Sequence, residues 1–221
     1  GRADELNAFA AMAQRGAVSV IVGVGGIGKT AFVQCVMTTR LCESLQHTIY
    51  VSMRPGDAVL ELTVEILRAA SKAAGLPVPD VTPLTADPIT LLSTMLDTVE
   101  RAGLWVILED LHFGPPAAMD AWLGMLSAYA RRSKWFVTTR RSPKSDRLQG
   151  QILHLNPMAD DPMTEIARRC CPDLDGEAVT ALVRNAQGSP WKLRQATVYG
   201  TEGADTVSSG HLPALQPRVI E

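Results

Sequence analysis

Gly23-Val24-Gly25-Gly26-Ile27-Gly28-Lys29-Thr30 fits the spacing G-x-x-x-x-G-K-[ST], in which each residue type has a chemical reason. A chain of phosphates is best met by several backbone N–H groups pointing inward, and only a Gly-rich turn lets the backbone wrap that closely. A helix opening at Lys29 adds its positive dipole end. Lys29 supplies a mobile cation for the outer phosphates, and the Thr30 hydroxyl suits Mg²⁺. Gly23, Gly25, Gly26, Ile27, Gly28, Lys29, Thr30 and Ala31 are therefore the expected phosphate-binding set. With glycine near 7% of residues, a chance match in a chain of this length is on the order of one in a hundred.

Phosphate chemistry of this kind needs acids at the end of a neighbouring buried strand. Leu104–Leu108 followed by Glu109-Asp110 meets that need. One carboxylate would hold Mg²⁺ through its water shell, and the other would orient an attacking water. Catalysis is thus expected of Lys29, Glu109 and Asp110, and metal binding of Thr30, Glu109 and Asp110. The usual order places Asp first. Here the longer Glu109 leads, so either it holds the metal less firmly or Asp110 takes that role. Nucleotide binding with slow hydrolysis is the expectation.

Thr138-Thr139-Arg140 closes another apolar run, and Arg140 there could sense a terminal phosphate, since guanidinium suits phosphate forks. Arg131, Arg132, Lys134, Arg140, Arg141, Lys144 and Arg147 crowd the region. Trp135 and Phe136 beside them look like core rather than base-stacking platforms. Phosphate sensing or a subunit contact is favoured over nucleic-acid binding.

The positioning elements alternate. Five strands are expected at Val18–Val22, Thr48–Met53, Leu104–Leu108, Trp135–Thr139 and Gln151–Leu155. Helical patterns lie between them, from Lys29 to about Arg40, from a cap at Asp57 to about Ala73, over Thr90–Arg101, and from Pro115-Pro116 to about Arg131. Gly75 to Pro88 reads as an exposed Pro-rich loop. Such alternation argues for a right-handed, mostly parallel α/β sheet. After Asn156-Pro157 three helices are expected, at about Asp161–Cys170, Gly176–Asn185 and Pro190–Tyr199. The expected organisation is a nucleotide-binding domain over 1–156, a small helical subdomain over 157–200 and a loose tail or linker over 201–221.

Composition removes other classes. The 221 residues are 46% hydrophobic and carry a formal charge of -2, so a real core is possible and no net basic pull exists. No apolar run approaches the roughly 20 residues that cross a bilayer. Cys35, Cys42, Cys170 and Cys171 show no C-x-x-C spacing and read as thiols of a reducing cytoplasm. His47 and His154 read as structural, and His211 falls in the tail. No Asn-Lys-x-Asp guanine-reading motif occurs, which disfavours GTP. Because the chain starts without Met and stops abruptly, it is expected to be a fragment of a longer protein.

Taken together these motifs resemble the signal-transduction NTPases with numerous domains, the STAND class that includes NB-ARC and NACHT proteins and bacterial regulators. The resemblance covers about residues 1–200. Gly1-Arg2-Ala3-Asp4-Glu5-Leu6 resembles the opening Gly-Arg-x-x-Glu-Leu, and GVGGIGKT the preferred phosphate loop. Ile49-Tyr50-Val51-Ser52 matches the second strand, and Leu108-Glu109-Asp110-Leu111-His112 the Leu-Asp-Asp element, sometimes followed by a His at that spacing. Thr138-Thr139-Arg140 matches the Thr-Thr-Arg sensor, and Gly188-Ser189-Pro190 the Gly-x-Pro whose Pro packs on the nucleotide. The resemblance implies sheet order 5-1-4-3-2, an ATP/ADP and Mg²⁺ site reached by Arg2, Arg140 and Pro190, and an ADP-held resting state. It also implies that ATP exchange drives homo-oligomerisation of the full-length protein. The competing expectation is a working ATPase of the AAA+ or initiator type acting on DNA or protein. That reading requires a trans-acting Arg, for which Arg131, Arg132 or Arg141 could serve. A small-molecule kinase would need an Arg-rich lid, and none is seen.

Overall fold

The computed structural model describes residues 2–41, 47–85 and 87–199, apart from the side chains of 83, 84 and 199. Gly1, Cys42, His211 and the tail expected from 201 lie outside the described residues. The chain forms two compact units, one running from Arg2 to Asn156 and the other beginning at Pro157.

In the first unit the elements run α1 (Ala3–Arg15), β1 (Val18–Val22), α2 (Lys29–Thr39), β2 (Thr48–Ser52), α3 (Val59–Ala73), α4 (Thr82–Thr85) and α5 (Pro88–Ala102). They continue through β3 (Trp105–Glu109), a 3-10 turn (Leu111–Phe113), α6 (Pro116–Tyr129), β4 (Lys134–Thr139) and β5 (Ile152–His154). The five strands form one sheet in the order β2-β3-β4-β1-β5, the order expected, and every pairing is parallel.

Strand alternation sends side chains to two separate cores. Val18, Val20, Val106, Leu108, Trp135 and Val137 face α3, α5 and α6, where Ile66, Leu67, Met95, Val99 and Trp122 complete a buried cluster. Ile21, Ile107 and Phe136 face α1 and α2 and pack on Phe9, Met12, Phe32, Val33 and Val36. Phe9 joins the layers, with its ring 5.7 Å from Phe32 and 5.8 Å from Phe136. Both faces being covered explains why β1 and β3 read as continuous apolar runs.

Four local features depart from expectation. The first is α1, which the sequence reading did not foresee. Only Phe9, Met12 and Ala13 of its residues are buried, so three positions among alanines and polar residues carry its apolar stripe. The second is the start of α3, where Asp57 is not the cap. Its Oδ2 accepts the Arg54 N–H at 2.7 Å, closing the preceding turn, and Glu61 Oε2 accepts the Ala58 N–H at 3.0 Å at the helix start. The third is α4, one helical turn inside the stretch read as loop. At the next helix Asp87 accepts the Ile89 N–H at 3.1 Å and Pro88 begins α5, an effective N-terminal signal that the periodicity alone placed two residues late.

The second unit holds α7 (Asp160–Cys170), α8 (Gly176–Ala186) and α9 (Pro190–Tyr199) around Met163, Ala167, Val179, Leu182, Val183 and Leu193. Asp175 caps α8 by accepting the Ala178 N–H at 2.8 Å. Among the described residues no helix is long and apolar enough to cross a membrane.

Candidate phosphate site at the carboxyl edge of the sheet

Register decides what meets at the carboxyl edge. Val22 pairs with Thr139, and Leu108 pairs with Val137. The residues that follow, Gly23 after β1, Glu109 and Asp110 at the end of β3, and Arg140 after β4, therefore emerge side by side. Parallel sheets place ligand sites at this edge.

The loop after β1 is tied to β4 by the Gly23 N–H, which donates to Thr139 O at 3.2 Å. Gly26 (φ 75°) and Gly28 (φ 96°) occupy left-handed backbone, where a side chain would be strained. Their turn delivers the chain into α2, whose first N–H groups have no intrahelical carbonyl. Lys29 is only 8% exposed, and its ammonium donates to Gly23 O at 2.9 Å and Val24 O at 3.2 Å. Burial lowers its pKa; Asp110 pulls it back up, Arg140 pushes it down and Glu109 raises it, for a net lowering. These mutual influences place Lys29, Glu109, Asp110 and Arg140 in one electrostatic cluster. Thr30 and Ala31 are exposed at the first turn of α2.

The two acids differ sharply. Glu109 is 6% exposed; its Oε2 accepts the Tyr50 hydroxyl, and its Oε1 has no partner although it is fully buried. Burial and Glu109 together push the Tyr50 hydroxyl far above its ordinary pKa, so it remains a donor. Asp110 adopts left-handed backbone (φ 57°), and its N–H donates to Thr138 Oγ1 at 3.1 Å. Its side chain is 40% exposed, with Oδ1 lying 3.7 Å from His112 Nδ1. His112 stacks on Phe113 at 4.3 Å, and burial, followed by Arg140, lowers its pKa, so the ring is neutral near pH 7. Neither of its ring nitrogens has a hydrogen-bond partner.

At the end of β4, Thr139 Oγ1 accepts the Arg141 N–H at 3.2 Å and donates to Arg141 O at 3.1 Å, which shapes the turn. Arg140 is exposed and lies across the loop. A Cβ at Gly25 would fall 3.3 Å from its Cζ, so glycine there gives the guanidinium room. Arg141 is engaged elsewhere, forking onto Asp120 at 2.9 and 3.1 Å and donating to Pro116 O at 3.0 Å. Arg2 donates to Ile27 O at 3.3 Å and Asn156 O at 2.9 Å, so it grips the loop through a carbonyl. Pro190 belongs to the helical unit and is the first residue of α9. It follows Gly188 (φ 70°), where a Cβ would strike Pro157 and the Met158 backbone at 2.6–2.8 Å.

The residue that sequence reasoning missed is Tyr50, which it placed only as part of a strand. Its bond to Glu109 crosses 59 positions of chain, and no local signal announces it.

The donor set fits a phosphate ligand with Mg²⁺. The orphaned Glu109 Oε1 is a buried acceptor of the kind a hydrated cation or its water would satisfy. Among the described residues no three His, Cys, Asp or Glu side chains form a metal cage. Mg²⁺ typically rests on one or two carboxylates plus phosphate oxygens rather than on such a cage.

No family model matches the sequence, and no curated protein was found to match it. Solved structures do resemble the fold. A STAND protein with a tetratricopeptide repeat sensor from Pyrococcus horikoshii aligns with a TM-score of 0.61 at 16% identity, over 89% of this chain and 29% of that one. Cdc6p from Pyrobaculum aerophilum aligns with a TM-score of 0.64 at 12% identity, over 87% and 59%. Domain III of the Thermotoga maritima replication initiation protein DnaA aligns with a TM-score of 0.56 at 16% identity, over 90% and 82%. The chain thus spans less than two thirds of the first two proteins. At these identities the likeness establishes the fold, that of the P-loop NTPases.

Proposed function

We propose that this chain is an adenine-nucleotide-binding switch domain that takes ATP or ADP with Mg²⁺ at the loop Gly23–Thr30 and hydrolyses ATP slowly. The observation that carries the reading is a buried Lys29 in a Gly-rich loop, beside a buried carboxylate oxygen without a partner. The N–H groups of the loop and of the first turn of α2 meet phosphate oxygens. Lys29 exchanges its bonds to the Gly23 and Val24 carbonyls for contacts with the outer phosphates, and Arg140 adds a second cation there. Thr30 and Glu109 would hold the metal, and the more exposed Asp110 would orient water. Mg²⁺, when bound, neutralises charge on the phosphate oxygens. Arg2 secures the loop from the Ile27 carbonyl.

Slow turnover follows from the arrangement of the acids, since Glu109 stands where the shorter Asp is usual. Pro190 stands in the Gly-Ser-Pro that resembles the Gly-x-Pro of STAND proteins. In a longer protein the nucleotide state would set conformation and homo-oligomerisation. The likeness to a STAND protein with a repeat sensor supports this reading. The free thiols Cys35, Cys170 and Cys171 suit a cytoplasmic setting.

A second reading, a working ATPase of the initiator type, draws on the likeness to Cdc6p and to DnaA domain III. The test is to denature the purified protein and identify released nucleotide by chromatography. Near-stoichiometric ADP supports the switch, whereas an empty site that hydrolyses added ATP rapidly favours the initiator reading. Tight nucleotide binding by Lys29→Ala overturns both.

A further inference from the structure

The Tyr50–Glu109 bond has no place in the phosphate chemistry described so far. Tyr50 lies on β2, an edge strand of the sheet, and pairs in register with Ile107, while Ser52 pairs with Glu109. Tyr50 and Glu109 therefore share a sheet face and stand diagonally, a separation that an aromatic side chain spans. The tyrosine is half-exposed, yet its hydroxyl reaches inward to a carboxylate that is nearly inaccessible. It takes Oε2 and leaves Oε1 as the one free oxygen, near enough to Lys29 to act on its charge.

A glutamate in this position carries one more methylene and one more rotatable bond than an aspartate. Unless held, it samples several rotamers and loses entropy when it takes up a ligand. We propose that Tyr50 is a positioning residue that fixes the longer Glu109 side chain, with Oε1 presented as the metal-side oxygen, so that the glutamate still serves Mg²⁺-dependent nucleotide binding even where hydrolysis is slow. This assignment rests on the nucleotide and Mg²⁺ reading above. Tyr50 acts through Glu109 alone and need not touch the ligand.

A double-mutant cycle tests it: wild type, Tyr50→Phe, Glu109→Asp and the double variant, each titrated with ADP by calorimetry, in EDTA and at increasing Mg²⁺. Tyr50→Phe removes only the hydroxyl. The Mg²⁺ concentration needed for half-maximal tightening of ADP binding should rise about tenfold, the scale of one hydrogen bond to a charged group. ADP affinity in EDTA should change less than twofold. In the Glu109→Asp background the shorter arm cannot reach Tyr50, so adding Tyr50→Phe should change nothing further. Three results overturn the assignment: an unchanged Mg²⁺ requirement in Tyr50→Phe, an equal loss of affinity in EDTA, or an undiminished effect in the Glu109→Asp background. Wild-type protein that binds no ADP under either condition defeats the underlying nucleotide reading, an outcome distinct from all three.

Discussion

Two glutamates at opposite edges of the same sheet show how this molecule divides its polar groups. Glu100, near the end of α5, lies against the turn that enters β4. Its carboxylate accepts the N–H groups of Arg131 (3.0 Å), Arg132 (2.8 Å) and Ser133 (3.2 Å) together with the Ser133 hydroxyl. Ser133 in turn accepts the buried Trp135 indole N–H at 2.9 Å. Glu109, at the carboxyl edge, has one oxygen taken by Tyr50 and the other by nothing. Saturated bonding marks Glu100 as structural. A buried oxygen left open sets Glu109 apart, because an unpaired buried acceptor costs stability. The same division runs through the basic cluster. The backbone N–H groups of Arg131 and Arg132 form a nest around Glu100, and Arg141 is paired with Asp120. The Arg140 guanidinium lies beside the loop at Gly25.

The largest expected effect lies on the ligand side of this contrast. Lys29→Ala should weaken ADP binding about a thousandfold, roughly 4 kcal/mol, as expected for removing one partner of a desolvated charge pair. Calorimetry checks this, and the unfolding midpoint should barely move. Glu100→Ala should do the reverse, costing about 2 kcal/mol of stability in urea unfolding while ADP affinity holds within twofold. If Glu100→Ala weakened nucleotide binding and Glu109 variants did not, the division between structural and open carboxylates would fail. Glu109→Gln sharpens it further: it should be neutral to stability or improve it by up to about 1 kcal/mol, yet cost about tenfold in Mg²⁺-dependent ADP affinity.

Acid adds a weaker test. Burial raises the Glu100 carboxyl, but bonds from the Arg132 N–H, the Ser133 hydroxyl and the Arg131 and Ser133 N–H groups outweigh it and leave the pKa lowered. Burial likewise raises Asp120, and the Arg141 and Lys144 bonds win, again leaving it lowered. Folded values below the unfolded ones, about 4, mean that this stability is complete above about pH 5. It is lost as the pH falls through the folded values. Glu100→Gln should flatten that acid limb in chemical denaturation at stepped pH. The smallest effect belongs to Arg141→Ala. It breaks a partly exposed pair with Asp120, costs about 1 kcal/mol or less by thermal unfolding, and should leave ADP affinity unchanged.

Much of this was legible from the chain alone because it is local. The phosphate loop declares itself by glycine spacing, and β1 and β3 by unbroken apolar runs that only a doubly covered strand can carry. Sheet order 5-1-4-3-2 followed from the resemblance and matches the structure. Local signals also misled where two groups competed for one role. Asp57 looked like a helix cap but closes the turn before it, and α1 was overlooked because its stripe is three residues wide.

The sequence by itself determined the loop Gly23–Thr30, the acids that end β3 and the alternation of strand and helix, since these depend on neighbours a few residues apart. Only the tertiary structure decided which polar groups are satisfied. Arg2 meets Asn156 across 154 positions, Tyr50 meets Glu109 across 59, and Glu100 finds its donors some thirty residues later. Strand register and burial set those meetings. They also separate a carboxylate whose oxygens are saturated by the fold from one that keeps a buried oxygen unpaired.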